Sequence, residues 1–192
     1  MINNPDATFT IGQMFIFGVF YGTTCVTLMF EATRLSDHVQ FPLVAQVQRT
    51  LRKKELNTFA SHTHIAVGYL LASLVMPPNC LFAALCLFSL GDTFAALVGI
   101  NWGKHKIGKL EKSWEGTIAG FLISLFSGYL FVGWIWSLAG ALVFVLIDLI
   151  TPKLLKISDN LLIPLVMVVV YYGLKVANIP AEFPIASFIG VV

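Results

Sequence analysis

Asp92 interrupts an otherwise apolar run, and Glu115 stands where the next apolar run opens. Between them come Lys104, Lys106, Lys109 and Lys112. A charge at membrane depth costs about 2.5–3.5 kcal/mol on insertion scales, so an acid there marks a functional site by default. Acid, lysines and acid bracketing one loop suit phosphate and a divalent cation at a membrane surface. A lysine acts as a point charge on phosphate oxygens. Magnesium in phosphoryl-transfer sites is held by one or two carboxylates together with the substrate's phosphates. Asp148 and Asp159-Asn160 supply further polar candidates in the second half of the chain. Against these stand an interfacial acid at 148 and a plain helix N-cap at 159.

The lysines alone say little, because positive-inside sorting places basic loops without any nucleotide. The acids beside them strengthen the signal, since that sorting does not require them. Gly103 to Lys109 has the Gly-x4-Gly-Lys spacing of a Walker A loop, but Leu110 replaces the magnesium-binding Ser or Thr. No strand is expected before it, and a P-loop is rejected. Gly91, Gly99 and Gly103 allow close helix approach or backbone contact with a ligand. Glu31 with Arg34, and Arg52 with Glu55, sit one helical turn apart, where local ion pairs are the simplest reading. His62 and His64 fall on roughly opposite helix faces, which argues against a joint metal site. Cys25, Cys80 and Cys86 lie in apolar stretches and read as small core hydrophobes.

The elements that must position these groups follow from composition. The 192 residues are 57% hydrophobic and 11% charged, whereas soluble domains carry about 25% charged residues. The expectation is an all-α, polytopic membrane helix bundle forming one integral membrane domain over residues 1–192. Six spans are expected, over about 8–30, 59–77, 80–100, 117–133, 135–151 and 161–177. The N-terminus lacks the basic region of a cleaved signal peptide, so the first span is expected to be retained. Residues 117–150 are divided in two near Gly133-Trp134, because one long helix would send a basic loop to the wrong side. With six spans, eleven of the twelve Lys and Arg residues share one face and Lys175 lies opposite. That face is expected to be cytoplasmic, with both termini outside. It carries a basic loop over 101–116 and an amphipathic stretch over 31–57. In the latter, Leu43, Val44, Val47 and Leu51 repeat at helical spacing beside Arg49, Arg52, Lys53 and Lys54.

Three segments together resemble the CTP-dependent lipid-alcohol kinases, the group containing dolichol (polyprenol) kinase, phytol kinase and CTP-dependent diacylglycerol kinase. They are Gly91-Asp92-Thr93, Lys112-Ser113-Trp114-Glu115-Gly116-Thr117 and Ser158-Asp159-Asn160-Leu161-Leu162-Ile163-Pro164. Order and spacing agree over roughly residues 31–164. Ser158 stands where that group often has Asp, and Asp148 where it often has Glu. The group is related to the phosphatidate cytidylyltransferases, whose His-Gly-Gly-x-x-Asp-Arg signature is absent here.

The resemblance implies transfer of phosphate from CTP to the hydroxyl of a membrane lipid alcohol at the cytoplasmic face, with magnesium as cofactor. Asp92, Lys112 and Glu115 are then the catalytic candidates. Lys104, Lys106, Lys109, Ser113, Gly116, Thr117 and Asn160 would bind nucleotide. Asp92, Glu115, Asp159 and Asp148 would hold metal, and Glu31, Arg34, Arg52 and Glu55 would meet the lipid head group. The lipid is expected to reach Asp92 between helices, where Gly91, Gly99 and Gly120 leave room. In a prokaryote the protein would lie in the inner or plasma membrane. No nucleic-acid partner is expected, and a homodimer is compatible with the pattern. The rivals are a cytidylyltransferase making a CDP-lipid and a small membrane transporter. Against a transporter, no inverted repeat is visible and the polar residues gather on one face.

Overall fold

The computed structural model describes residues 11–36, 51, 58–108, 112–154, 158–182 and 184. Among them the chain is helical, in the order α1 Ile11–Leu35, α2 Ser61–Ser73, α3 Pro78–Asn101, α4 Trp114–Val132, α5 Trp134–Leu154 and α6 Asp159–Val176. All but α2 are long and apolar enough to cross a membrane. The amphipathic stretch expected within 31–57, including Arg52 and Glu55, lies almost wholly outside the described residues, as do Lys109 and Leu110.

The expected second span comes out shorter than predicted. Its helix has 13 residues, about 20 Å at 1.5 Å per residue, whereas a bilayer's hydrocarbon core is about 30 Å thick. The apolar run continues to Met76, but the backbone leaves the helix after Ser73, ahead of Pro77 and Pro78. A residue before proline is pushed towards extended backbone, so a helix reaching Pro77 is disfavoured. The next proline works the other way, because Pro78 occupies the first turn of α3, where its missing N–H costs nothing.

The expected break between the fourth and fifth runs is present. Gly133 adopts φ 77° and ψ −175° between α4 and α5, a region almost confined to glycine. A Cβ there would also lie 2.7 Å from the Glu182 side chain.

Consecutive helices run antiparallel, and paired contacts along their lengths establish this. Glu31 near the end of α1 meets His62 near the start of α2, while Phe20 stacks on Tyr69 further along. Helices α3 and α4 meet through small residues. Gly91, Ala95 and Gly99 face Ser124, Gly120 and Gly116, each set spaced by four. Such stripes let backbones approach closely, which compensates for the missing hydrophobic drive between helices in lipid. Ser124 Oγ donates to Leu87 O at 2.8 Å across this seam. Pro164 of α6 lies against Gly68 of α2, where an added Cβ would sit 3.0 Å from the proline ring.

The buried centre contains Tyr69, Leu87, Phe88, Phe144, Ile163 and Met167. Outward positions are apolar as well, with Phe15, Met29, Ile100, Phe126 and Val169 all well exposed. A soluble monomer rarely shows so much apolar surface, whereas lipid-facing helices require it.

Candidate functional site

The ends of α3 and α5 and the start of α4 form one corner, and several predicted residues meet there. Ser113 caps α4, its hydroxyl accepting the N–H of Gly116 at 3.2 Å. It is 2% exposed and packs against Gly99 and Gly103. A Cβ at Gly103 would come within 2.2 Å of Gly99 O, so the first glycine of the Walker-like spacing serves close approach of chain segments.

The basic loop folds back on itself as a short hairpin. Lys106 bridges to Ser113; Ile107 N–H donates to Lys112 O at 2.9 Å, and Trp114 N–H to His105 O at 2.9 Å. Gly108 takes φ 56° at its turn. Lys104 and Lys106 are both exposed. The N–H groups of Trp114 and Gly116 are therefore already taken within the chain, and in this structure the α4 N-terminus presents neither of these donors to an anion.

Lys112 reaches from this hairpin to α5. Its Nζ pairs with the Asp148 carboxylate and donates to Asp148 O at 2.6 Å. Asp148 is 6% exposed, so the acid predicted as a metal ligand is held instead as the partner of the predicted phosphate-binding lysine. Glu115 is likewise engaged. His105 Nδ1 lies 2.6 Å from Glu115 Oε1, and His105 N–H points at both carboxylate oxygens at 3.2 and 3.3 Å. Sequence reasoning did not select His105. The only available signal was its place between two lysines, ten residues before the acid.

Asp92 lies deeper in α3. It is seven residues before Gly99, about 10 Å along the axis. Its neighbour Gly91 is buried against Ser124 and Phe144, while Asp92 itself is on the exposed side of the helix. Gly91, Gly99 and Gly120 do not leave room for a lipid, contrary to expectation. A Cβ at Gly91 would lie 2.2 Å from Ser124 Oγ, and one at Gly120 2.9 Å from Gly91 O. Their space is filled by the neighbouring helix, and any lipid path to Asp92 runs along the exposed side of α3.

Thr117 is 9% exposed, and its hydroxyl has no hydrogen-bond partner among the described residues. Asp159 and Asn160 begin α6, where Asp159 Oδ1 accepts the Asn160 N–H at 3.0 Å. Among the described residues no three His, Cys, Asp or Glu side chains gather as a metal-binding group. A magnesium ion that takes its remaining ligands from phosphates and water needs only one or two carboxylates.

Glu31 and Arg34 form a separate buried knot. Arg34 Nε and Nη2 donate to the two Glu31 oxygens at 2.9 and 2.5 Å, and both side chains are fully buried. Arg34 also donates to Thr58 O at 2.5 Å, while Glu31 accepts the Ala60 N–H at 3.1 Å. His62 Nε2 lies 3.3 Å from Glu31 Oε1. The expected local pair is thus present, and it ties the chain entering α2 to the end of α1. His64 turns elsewhere, its Nδ1 3.1 Å from Ala60 O.

In comparisons with known proteins the chain matches no family model, no curated protein and no solved structure.

Proposed function

We propose that this chain is a multi-pass membrane enzyme that transfers the γ-phosphoryl group of CTP to the hydroxyl of a membrane lipid alcohol, at the cytoplasmic face. The observation that carries the reading is the corner where Lys112 is tied to Asp148. There the basic hairpin bearing Lys104 and Lys106 sits against the ends of α3 and α5, above the acid Asp92. The three segments that resemble the CTP-dependent lipid-alcohol kinases supply the nucleotide and the acceptor class. The Thr117 hydroxyl, buried and without a partner among the described residues, supports a polar occupant beside the first turns of α4.

Positioning and electrostatics supply the catalysis, as is general for phosphoryl transfer. Lys112, with Lys104 and Lys106, neutralises the triphosphate. Asp92 accepts the proton of the lipid hydroxyl while that oxygen bonds to the γ-phosphorus and the bond to the β-phosphate oxygen breaks, releasing CDP. Asn160 orients a phosphate oxygen. With Asp92 as the base, Asp159 is the carboxylate that would hold magnesium, which would offset the charge on the phosphates. Asp148 and Glu115, already engaged by Lys112 and His105, fix those side chains in place.

Asp92→Asn tests the assignment. The variant should fold as the wild type does and lose CTP turnover; retained turnover removes Asp92 from the reaction.

A further inference from the structure

His105 is 79% exposed at its side chain, yet its ring makes a polar contact between the hairpin and α4. Its ring and its backbone N–H both engage Glu115, one residue into the helix from Trp114. The other hairpin bonds, from Ile107 to Lys112 and from Trp114 to His105, close the hairpin upon itself or continue it into the helix. The contact with Glu115 ties the hairpin to the first turn of α4, as Lys112 ties it to α5. Lys104 and Lys106 flank His105 directly, so whatever fixes His105 fixes where those two ammonium groups stand. Cations held in place bind a polyanion at lower entropic cost than cations on a loose loop.

We propose that His105 is a positioning residue for the nucleotide, acting through Glu115 as a latch that holds Lys104 and Lys106 over the α4 corner. The inference rests on the phosphate-handling reading of the hairpin. Its role is distinct from that of Lys112, which touches the phosphates. The latch belongs to substrate binding, so its loss should appear in the KM for CTP, with kcat and the KM for the lipid held.

Two readouts on purified protein in micelles test it. In His105→Ala, hydrogen exchange at the Ile107 and Trp114 amides should speed up with no nucleotide present. A lost hydrogen bond to a charged group corresponds to about a tenfold rise in the KM for CTP, with kcat within about twofold. His105→Asn retains an N–H near the Nδ1 position and should restore both. Unchanged amide exchange in His105→Ala overturns the latch. Faster exchange with an unchanged KM for CTP overturns the positioning role. An equal fall in kcat also overturns it. If the wild-type chain turns over no CTP, the proposed function itself fails, an outcome separate from active wild type with an indifferent His105→Ala.

Discussion

Lys112 and Asp148 are 36 residues apart and close the candidate site between them. One ammonium bonds to both the carboxylate and the backbone carbonyl of the acid. The pair is largely buried, with side-chain exposures of 29% and 8%. It joins the hairpin to the end of α5.

The two partners should therefore fail differently. Lys112→Ala strands Asp148 and removes the phosphate contact, so CTP turnover should vanish and stability should fall by about 2 kcal/mol. Asp148→Asn keeps the lysine and an acceptor; it should retain measurable turnover with a raised KM for CTP. Thermal unfolding and steady-state kinetics on both variants check this, and equal loss of turnover in the two contradicts it.

The α3–α4 seam makes a prediction independent of function. Gly91→Ala should force the two helices apart and cost about 1–3 kcal/mol, as over-filling a close contact does. Gly18 and Gly173 have nothing among the described residues within 4 Å of an added Cβ. Alanine at either should be neutral or stabilising by up to about 1 kcal/mol, because it removes backbone freedom from the unfolded chain. Unfolding temperatures in detergent decide the order.

The Glu31–Arg34 knot should behave as a buried ion pair. Removing one member leaves an uncompensated charge and costs about 3–5 kcal/mol, whereas replacing both with apolar residues of similar size costs less. Glu31→Leu and Arg34→Met should each be less stable than the double variant. Single variants that stay stable but bind lipid alcohol poorly would instead favour a head-group role.

Thr117→Val removes a buried hydroxyl that has no partner among the described residues and keeps the side chain's shape. Stability should hold or rise by about 1 kcal/mol. A fall in CTP affinity in the same variant would show that the hydroxyl meets the nucleotide, and unchanged affinity would remove Thr117 from the site.

How much of this was visible in the sequence depends on the range of the interaction. Helical runs were legible because hydropathy acts locally, and the break at Gly133 because one long helix would put a basic loop on the wrong side. The second span was read too long because apolar residues 74–76 continue the run, while Pro77 and Pro78 end the helix before them. Gly91, Gly99 and Gly103 were read as allowing close helix approach, but Gly91, Gly99 and Gly120 were also read as leaving room for a lipid, and the neighbouring helix fills that room. Composition gives small residues and does not say what fills the space beside them. The Glu31–Arg34 pair was legible at i,i+3; its bonds to Thr58 and Ala60 were not. Lys112–Asp148 and His105–Glu115 depend on how the hairpin and helices come together, which no local pattern encodes.

The most direct test of the proposed function supplies purified protein in mixed micelles with magnesium and γ-labelled CTP. Polyprenol, phytol, diacylglycerol and phosphatidate are offered in turn. The account predicts label on a lipid alcohol with CDP released, and none of either from Asp92→Asn. Pyrophosphate released with phosphatidate would contradict it in favour of a cytidylyltransferase, and folded protein inert towards every lipid would contradict it outright.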